Sequence, residues 1–223
     1  KPSDHYNLDL KWDFNPTPTE LISLTAFYKL IKNPISRIEV ASAGGYLSYE
    51  NIADKATVAG VEVEIRKNLF IRPVSNAAHG MNKLSLGLNG SYIYTNAEMP
   101  LATVTTGSQL EGAAPWIVNF DLSHNFTKGE RSFVNTLVLN YVSDKIYTIG
   151  TQGYQDMMEQ GVLTLDFVSQ AKLNKHLSLN LKARNLLNPS YKLSRKANKN
   201  GEKVILNDYK KGINISLGVS CTF

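Results

Sequence analysis

The feature that most constrains this chain is the strict alternation of apolar and polar residues over segments of about ten residues. Residues 5–14 read His-Tyr-Asn-Leu-Asp-Leu-Lys-Trp-Asp-Phe, and the last eleven residues, Ile213 to Phe223, alternate in the same way. Because successive side chains of a β-strand point to opposite faces, each segment predicts a strand with one apolar and one polar face. Such strands suit a sheet between lipid and water, and they also suit a solvated sheet over a soluble core.

Nine segments of the chain follow this pattern. They cover residues 5–14, 21–31, 56–66, 83–95, 115–126, 132–143, 162–173, 177–187 and 210–223. The connections alternate in length, with short ones at 15–20, 127–131 and 174–176 and long ones at 32–55, 96–114, 144–161 and 188–209. One connection, 67–82, lies at the end where a short connection is expected, and it is longer than the other connections there. This sorting by end predicts an all-β, antiparallel, up-and-down transmembrane β-barrel with short turns on one rim and recognition loops on the other.

Aromatic residues near the strand ends favour the membrane interpretation, because Trp and Tyr prefer the two interfaces of a bilayer. Trp116 and Phe126 lie ten residues apart on one apolar face. That separation spans ~33 Å along a strand and ~25 Å along the membrane normal at a ~40° tilt, about the height of an apolar band. We predict an aromatic girdle made of Tyr6, Trp12, Phe14, Tyr92, Tyr94, Trp116, Phe126, Phe133 and Tyr141.

The alternation also predicts which side chains face lipid and which face the lumen. The outward set is predicted to comprise Leu8, Leu10, Leu24, Val61, Val63, Leu86, Val118, Leu122, Leu139, Leu165, Leu179, Leu181, Ile215 and Leu217. The lumen-facing candidates are Lys29, Glu62, Glu64, Arg66, Asn119, Asp121, Asn180, Lys182 and Arg184. His124 falls on the apolar face near a short turn, where an interfacial position would satisfy its polar ring.

Composition excludes several other classes of protein. The 24 basic and 19 acidic residues give a net charge of +5 that is scattered, and the densest basic run, Lys192 to Lys203, reads as a solvated loop. We therefore expect no nucleic-acid partner. A single cysteine, Cys221, permits no intrachain disulfide. No apolar run approaches the ~18 residues of a membrane helix, and the start of the chain lacks the apolar core of a signal peptide.

The sequence offers no convincing enzymatic site, and we expect neither a metal nor a cofactor. Glu62, Glu64 and Arg66 share a polar strand face, where a charge network is a better interpretation than acid–base catalysis. The four histidines, His5, His79, His124 and His176, have no metal-ligand spacing. No Gly-x-Ser-x-Gly elbow and no Gly-x-x-x-x-Gly-Lys phosphate loop occurs.

Four motifs between residue 32 and the end of the sequence carry a family resemblance. They are Lys32-Asn-Pro-Ile35, Asn51-Ile-Ala-Asp-Lys-Ala-Thr-Val-Ala-Gly-Val-Glu-Val-Glu64, Arg184-Asn-Leu-Leu-Asn-Pro189 and the terminal aromatic Phe223. Taken in this order, they resemble TonB-dependent outer-membrane receptors of the branch common in Bacteroides-like bacteria. Cys221 departs from the pattern, since an aromatic or aliphatic residue is usual there.

The resemblance implies a 22-stranded barrel closed by an amino-terminal plug, in the outer membrane of a Gram-negative bacterium. Such receptors import a siderophore, cobalamin, peptide or glycan with energy from the TonB complex, which acts through the plug. Residues 1–223 would be the carboxy-terminal part of the barrel, surrounded by lipid and completed by further strands and the plug. Phe223 would be the assembly signal read by the barrel-insertion machinery.

Alternation already runs by Tyr6, so we treat residue 1 as a cut and the chain as a piece of a longer protein. Nine is an odd number of strands, and an open sheet cannot sit in lipid with unpaired edges, so the chain alone is not expected to transport. Two alternatives remain open: a soluble or surface antiparallel β domain that binds ligands or proteins, and a passive porin or outer-membrane enzyme barrel.

Overall fold

The computed structural model describes residues 1–40, 46–74, 80–98, 108–151, 154–197 and 201–222. Among these residues, no helix long and apolar enough to cross a membrane is present. The described residues form fifteen strands: β1 (Asp4–Phe14), β2 (Leu21–Lys32), β3 (Ile35–Glu39), β4 (Leu47–Asn51), β5 (Lys55–Pro73), β6 (Met81–Ala97), β7 (Trp116–Lys128), β8 (Arg131–Val142), β9 (Lys145–Thr148), β10 (Met157–Glu159), β11 (Val162–Lys172), β12 (Leu177–Arg184), β13 (Ser190–Lys196), β14 (Lys203–Lys210) and β15 (Asn214–Cys221).

The main element is a nine-stranded antiparallel sheet, which confirms the predicted fold class. Its strands follow the order β1-β2-β5-β6-β7-β8-β11-β12-β15, so each strand pairs with the next long strand along the chain. These are the nine predicted segments, with ends that differ by a few residues. Among the described residues β1 and β15 pair with no strand beyond them, and the barrel is therefore open in this chain.

The strands tilt relative to the rims, as the strands of a barrel must. The row of directly paired residues that starts at Phe14, the last residue of β1, runs through Ile22, Ile65, Leu88, Phe120, Leu139 and Leu165. A second row lies two residues nearer the short-turn end. It runs from Phe167 through Ala183 to Ile215, which is six residues before the end of β15. The two offsets together mean that the short-turn end shifts by eight residues along the strands between β1 and β15, which are eight strand-to-strand steps apart. At ~3.3 Å per residue and ~4.8 Å per strand, this is a tilt of about 35°.

The connection 67–82 proves to be mostly strand, so the prediction of a long connection there is wrong. β5 continues to Pro73 and β6 begins at Met81. A bulge between Asn68 and Phe70 inserts one extra residue, Leu69, into β5. Because the bulge shifts the two-residue period by one, the alternation breaks at this point and the sequence pattern ends too early. All turns at this end of the sheet are therefore short.

Three long connections contain strands that the sequence analysis treated as loop. β3 and β4 pair as a hairpin within residues 32–55. β9, β10, β13 and β14 form a four-stranded sheet in the order β14-β13-β10-β9. The run from Lys192 to Lys203, interpreted as a solvated loop, includes part of β13 and the start of β14, and its residues 198–200 lie outside the described chain.

The buried core of the described chain lies among the long connections rather than behind the large sheet. Its cluster comprises Ile31, Ile38, Ile52, Ala53, Ala56, Ala97, Leu110, Ile146 and Ile149. Ile149 is fully buried and forms a parallel bridge with Ile38, which joins the third long connection to the β3–β4 hairpin. Burial of these side chains supplies a hydrophobic reason for the long connections to pack as one layer, which we call the outer layer.

The outward face of the large sheet has no such cover. Leu10 in β1 is 75% exposed and Leu217 in β15 is 70% exposed. A contiguous exposed apolar face of this kind marks contact with another apolar surface or phase.

The local structure explains why particular residues occur in two of the motifs quoted for the family resemblance. Asn185 and Asn188 adopt left-handed backbone conformations, with φ of 58° and 44°. Asn185 Nδ2 donates to the Gly212 carbonyl oxygen at 2.7 Å, so this turn is tied to the start of β15. In the other motif, Gly60 lies opposite Phe27, and a Cβ added at Gly60 would overlap the Phe27 ring and the Tyr92 carbonyl oxygen.

Candidate functional site

The predicted lumen-facing residues all fall on one face of the nine-stranded sheet. The pairing register places Glu64 opposite Ser23 and Asn89, and Asn89 opposite Asn119. The same rows place the other candidates on this face, which we call the polar face: Lys29, Glu62, Arg66, Asp121, Asn180, Lys182 and Arg184. The structure does not bring them together into one catalytic cluster, because they spread over four strands, β2, β5, β7 and β12. Their assignment to a lumen stays a prediction.

Hydrogen bonds link several side chains along the polar face. Asn119 Nδ2 donates to Asn89 Oδ1 at 3.4 Å, and Asn140 Nδ2 donates to Asn119 Oδ1. The Arg66 guanidinium forms an ion pair with Glu64 at 2.6 Å, although two thirds of the Arg66 side chain is exposed. In solvent such an ion pair contributes little stability.

The nine predicted girdle residues lie near strand ends on the opposite face of the sheet, which we call the girdle face. At the loop end are Tyr6, Tyr92, Tyr94, Trp116 and Tyr141, and at the short-turn end are Trp12, Phe14, Phe126 and Phe133. Tyr92 and Trp116 are direct neighbours with ring centroids 4.6 Å apart. Among the short-turn group, Phe126 and Phe133 pair at 6.5 Å. Two rows of outward-facing aromatics thus bracket the apolar side chains.

His124 lies on the girdle face and has a polar partner, as the sequence suggested it needs. Its Nε2 is 2.8 Å from Asn82 Oδ1. Nearby on the same face, Ser169 Oγ donates to Asn135 Oδ1 at 2.7 Å. These paired groups lie toward the short-turn end, where polar side chains can meet headgroups and water.

An ion pair connects two of the long connections within the outer layer. Arg37, in β3, donates through Nη2 to Glu111 Oε1 at 2.8 Å, and its backbone N–H donates to Glu111 Oε2 at 2.6 Å. Burial lowers the pKa of Arg37, but the hydrogen bonds and charge of Glu111 outweigh burial and raise the pKa above its ordinary value. The guanidinium also lies 4.0 Å from the centroid of the Tyr147 ring.

A second ion pair connects the first long connection to the last. Arg195 in β13 pairs with Glu39 in β3, and its guanidinium lies 5.3 Å from the centroid of the Tyr154 ring. With the bridge between Ile38 and Ile149, these contacts join all four long connections into the outer layer. Loops fixed in this way present a pre-formed surface, which reduces the entropy lost when a ligand binds.

A groove opens where the outer layer meets the polar face. One cavity of about 180 Å³ is lined by three tyrosines and by Glu159, Lys192, Leu193 and Asn207; the tyrosines are Tyr147, Tyr191 and Tyr209. An adjoining cavity of about 120 Å³ shares Glu159 and Tyr191 and continues down to Asn140, Val162 and Thr164 on the polar face. We call the two cavities together the tyrosine groove.

Sequence reasoning missed the tyrosine groove. Its tyrosines occur singly in long connections that were interpreted as loops, and no spacing joins Tyr147 to Tyr191 or Tyr209. The only available signal was the alternation in Ser190-Tyr-Lys-Leu-Ser-Arg-Lys196, which predicts a short strand.

Two residues named in the sequence analysis, His79 and Phe223, lie outside the described residues. In the part of the chain that the structure describes, no group of three or more His, Cys, Asp or Glu side chains could hold a metal ion. Cys221 is a free, exposed cysteine in β15.

Comparison with known proteins agrees with the family resemblance. The family model described as TonB dependent receptor-like, beta-barrel matches residues 1–186. No curated protein and no solved structure matches the chain. Proteins of this family are receptors rather than enzymes, and they work in nutrient import across the outer membrane of Gram-negative bacteria with TonB. Because the match covers most of the chain, the chain belongs to the TonB-dependent receptor-like β-barrel family.

Proposed function

We propose that this chain forms part of the wall and four outer loops of a TonB-dependent importer of a siderophore, cobalamin, peptide or glycan. The observation that carries the proposal is the separation of the two faces of the nine-stranded sheet. One face is apolar and bracketed by aromatic residues, and the other is polar and leads to the tyrosine groove below the outer layer. A wall between lipid and a transport path needs both faces.

The proposal assigns roles to the two faces. Glu62, Glu64, Arg66 and the other residues of the polar face line the lumen, where they meet water and a plug. The aromatic rows lie at the two membrane interfaces, and Phe223 is the signal for barrel insertion. Further strands pair with β1 and β15, because unpaired backbone groups of an edge strand are not tolerated in lipid.

We place the chain in the Bacteroides-like branch on the quoted motifs, and the structure gives local reasons for several of their residues. Asn33, Asn185 and Asn188 have positive φ, which Asn tolerates better than most residues, so a loop that starts this way favours Asn at these positions. In the strand motif, Gly60 accommodates the ring of Phe27.

Growth of the native host tests this function. Strains lacking the receptor gene or lacking TonB are compared on media in which one nutrient is limiting. Iron is supplied as a ferric siderophore, and the other media supply cobalamin, peptides as nitrogen source or oligosaccharides as carbon source. The expected result is at least one medium on which both strains fail to grow and the receptor gene restores growth only when TonB is present.

Two outcomes would contradict the proposal. Normal growth of the receptor-deletion strain on every medium would argue against an importer. Restoration of growth in the absence of TonB would instead favour a passive porin. Cell fractionation serves as the control, because the receptor must first be found in the outer membrane.

A further inference from the structure

The tyrosine groove has the form of a ligand site within the importer proposed above. Its two cavities together approach 300 Å³, the lower end of the range for small-molecule pockets. They lie between the outer layer and the polar face, where a substrate would pass from loops to lumen. Both cavities share Glu159 and Tyr191, so one ligand can contact the loop sheet and the wall together.

Aromatic rings supply the apolar surface of this groove, and other contacts fix their orientation. Tyr191 stacks on Tyr209 with ring centroids 5.5 Å apart and an angle of 21° between the planes. The Lys211 ammonium lies 3.8 Å from the Tyr191 centroid. Tyr209 remains 48% exposed, so much of this ring is available to a flat or ring-shaped ligand.

Two lysines that line the groove are each paired with a carboxylate. The Lys145 ammonium lies 3.3 Å from Glu159, and that of Lys192 lies 3.5 Å from Asp208. An anionic ligand that binds either of these lysines would have to displace its carboxylate. A ligand without charge meets no such cost, so the pairing favours an uncharged ligand over an anionic metal chelate.

Uncharged hydrogen-bonding groups supply the remaining contacts. Asn207 lines the upper cavity, while Asn140, Gln160 and Thr164 line the lower one. Amides and hydroxyls offer both donors and acceptors, which match the hydroxyl groups of a polyol. The amide side chains of Asn140, Asn119 and Asn89 continue this surface along the polar face.

We propose that the tyrosine groove binds a neutral oligosaccharide and that Tyr209 stacks on one of its sugar rings. The apolar face of a pyranose matches an exposed aromatic ring, and its equatorial hydroxyls match amides and hydroxyls around the ring. This inference rests on the proposed import function and narrows its substrate from four classes to one.

Binding by the full-length receptor in detergent tests the inference. An array of neutral oligosaccharides identifies the strongest binder, and isothermal titration with that oligosaccharide then measures the affinity. Tyr209→Ala is expected to weaken binding at least about tenfold, because truncation removes an anchor side chain. Tyr209→Phe keeps the ring and is expected to stay within about threefold of the parent protein.

Tyr46→Ala is the matched control. Tyr46 is 69% exposed and precedes β4, outside the residues that line the groove. This variant is expected to bind like the parent protein. Heat-dependent gel mobility verifies that each variant has a folded barrel before its affinity is measured.

Three results would overturn the inference. They are a lack of binding to every oligosaccharide on the array, equal affinity of Tyr209→Ala and the parent protein, and an equal loss in Tyr46→Ala. TonB-dependent growth on a ferric siderophore, cobalamin or peptide that is unchanged by Tyr209→Ala would also overturn it. That last result would contradict only the ligand inference and would still agree with the proposed import function. Growth without TonB would instead contradict the proposed import function itself.

Discussion

Two adjacent residues in the middle of β8 allow a direct comparison of the two faces of the sheet. Leu137 lies on the girdle face opposite Leu122 and Phe167, and Val138 lies on the polar face opposite Asp121 and Asp166. Replacing each with Arg makes the same chemical change at the same height. The two variants therefore differ mainly in what surrounds the new charge.

The structure sets the expected size of the difference. Leu137 lies four residues from both Phe133 and Tyr141, the aromatic ends of its strand. At ~3.3 Å per residue and a tilt of ~35–40°, each end is about 10 Å away along the membrane normal, which places Leu137 near the bilayer midplane. Arg on the lipid face at that depth costs about 2–4 kcal/mol. Arg at Val138 gains two carboxylate neighbours, and we expect a change of less than about 1 kcal/mol.

Urea unfolding of the full-length receptor in phospholipid vesicles, followed by tryptophan fluorescence, measures both effects. Leu137→Arg should lose at least ~2 kcal/mol more of unfolding free energy than Val138→Arg. Equal losses would refute the assignment of the girdle face to lipid. A larger loss in Val138→Arg would reverse the two faces.

Other substitutions test local features of the fold. Gly60→Ala should cost about 1–3 kcal/mol because the Phe27 ring must move, whereas Gly90→Ala, with no atom within 4 Å of its added Cβ, should be neutral or stabilising in the same urea assay. A similar cost at both glycines would contradict this reasoning. Glu111→Ala should cost ~2 kcal/mol by leaving the guanidinium of Arg37 unpaired. Protease added to whole cells should then cut the outer loops faster, and an unchanged rate would show that the ion pair does not hold them. Asn185→Ala should cost about 1 kcal/mol, since Ala tolerates positive φ poorly and the bond to Gly212 is lost; an unchanged unfolding midpoint would exclude that role.

The large sheet could be predicted from sequence because its physical cause is local. Every second residue from Tyr6 to Phe14 is apolar, and a strand that separates two phases requires that period. The same period gave the correct common face for Glu62, Asn119 and Lys182, although these residues lie on different strands. Among the described residues of the large sheet, the bulge at Leu69 is the one shift in register, and its extra residue moves the following side chains to opposite faces.

The outer layer could not be predicted in this way, because its cause is long-range. β9 and β10 have four and three residues, too few to show a period. The pair between Arg195 and Glu39 joins residues 156 positions apart, and no local pattern indicates it. The tyrosine groove depends on these contacts, since they position β9, β10, β13 and β14 above the polar face.

The most direct test of the central claim is a spin-label scan along β8 in the full-length receptor in lipid. Each residue from Ser132 to Val142 is replaced in turn by a labelled cysteine, after Cys221 has been changed to serine. Collision rates with oxygen, which concentrates in lipid, should be high at Phe133, Asn135, Leu137, Leu139 and Tyr141 and low at the residues between them. A profile without a two-residue period, or one with the opposite phase, would contradict a wall with lipid on one face and a transport path on the other.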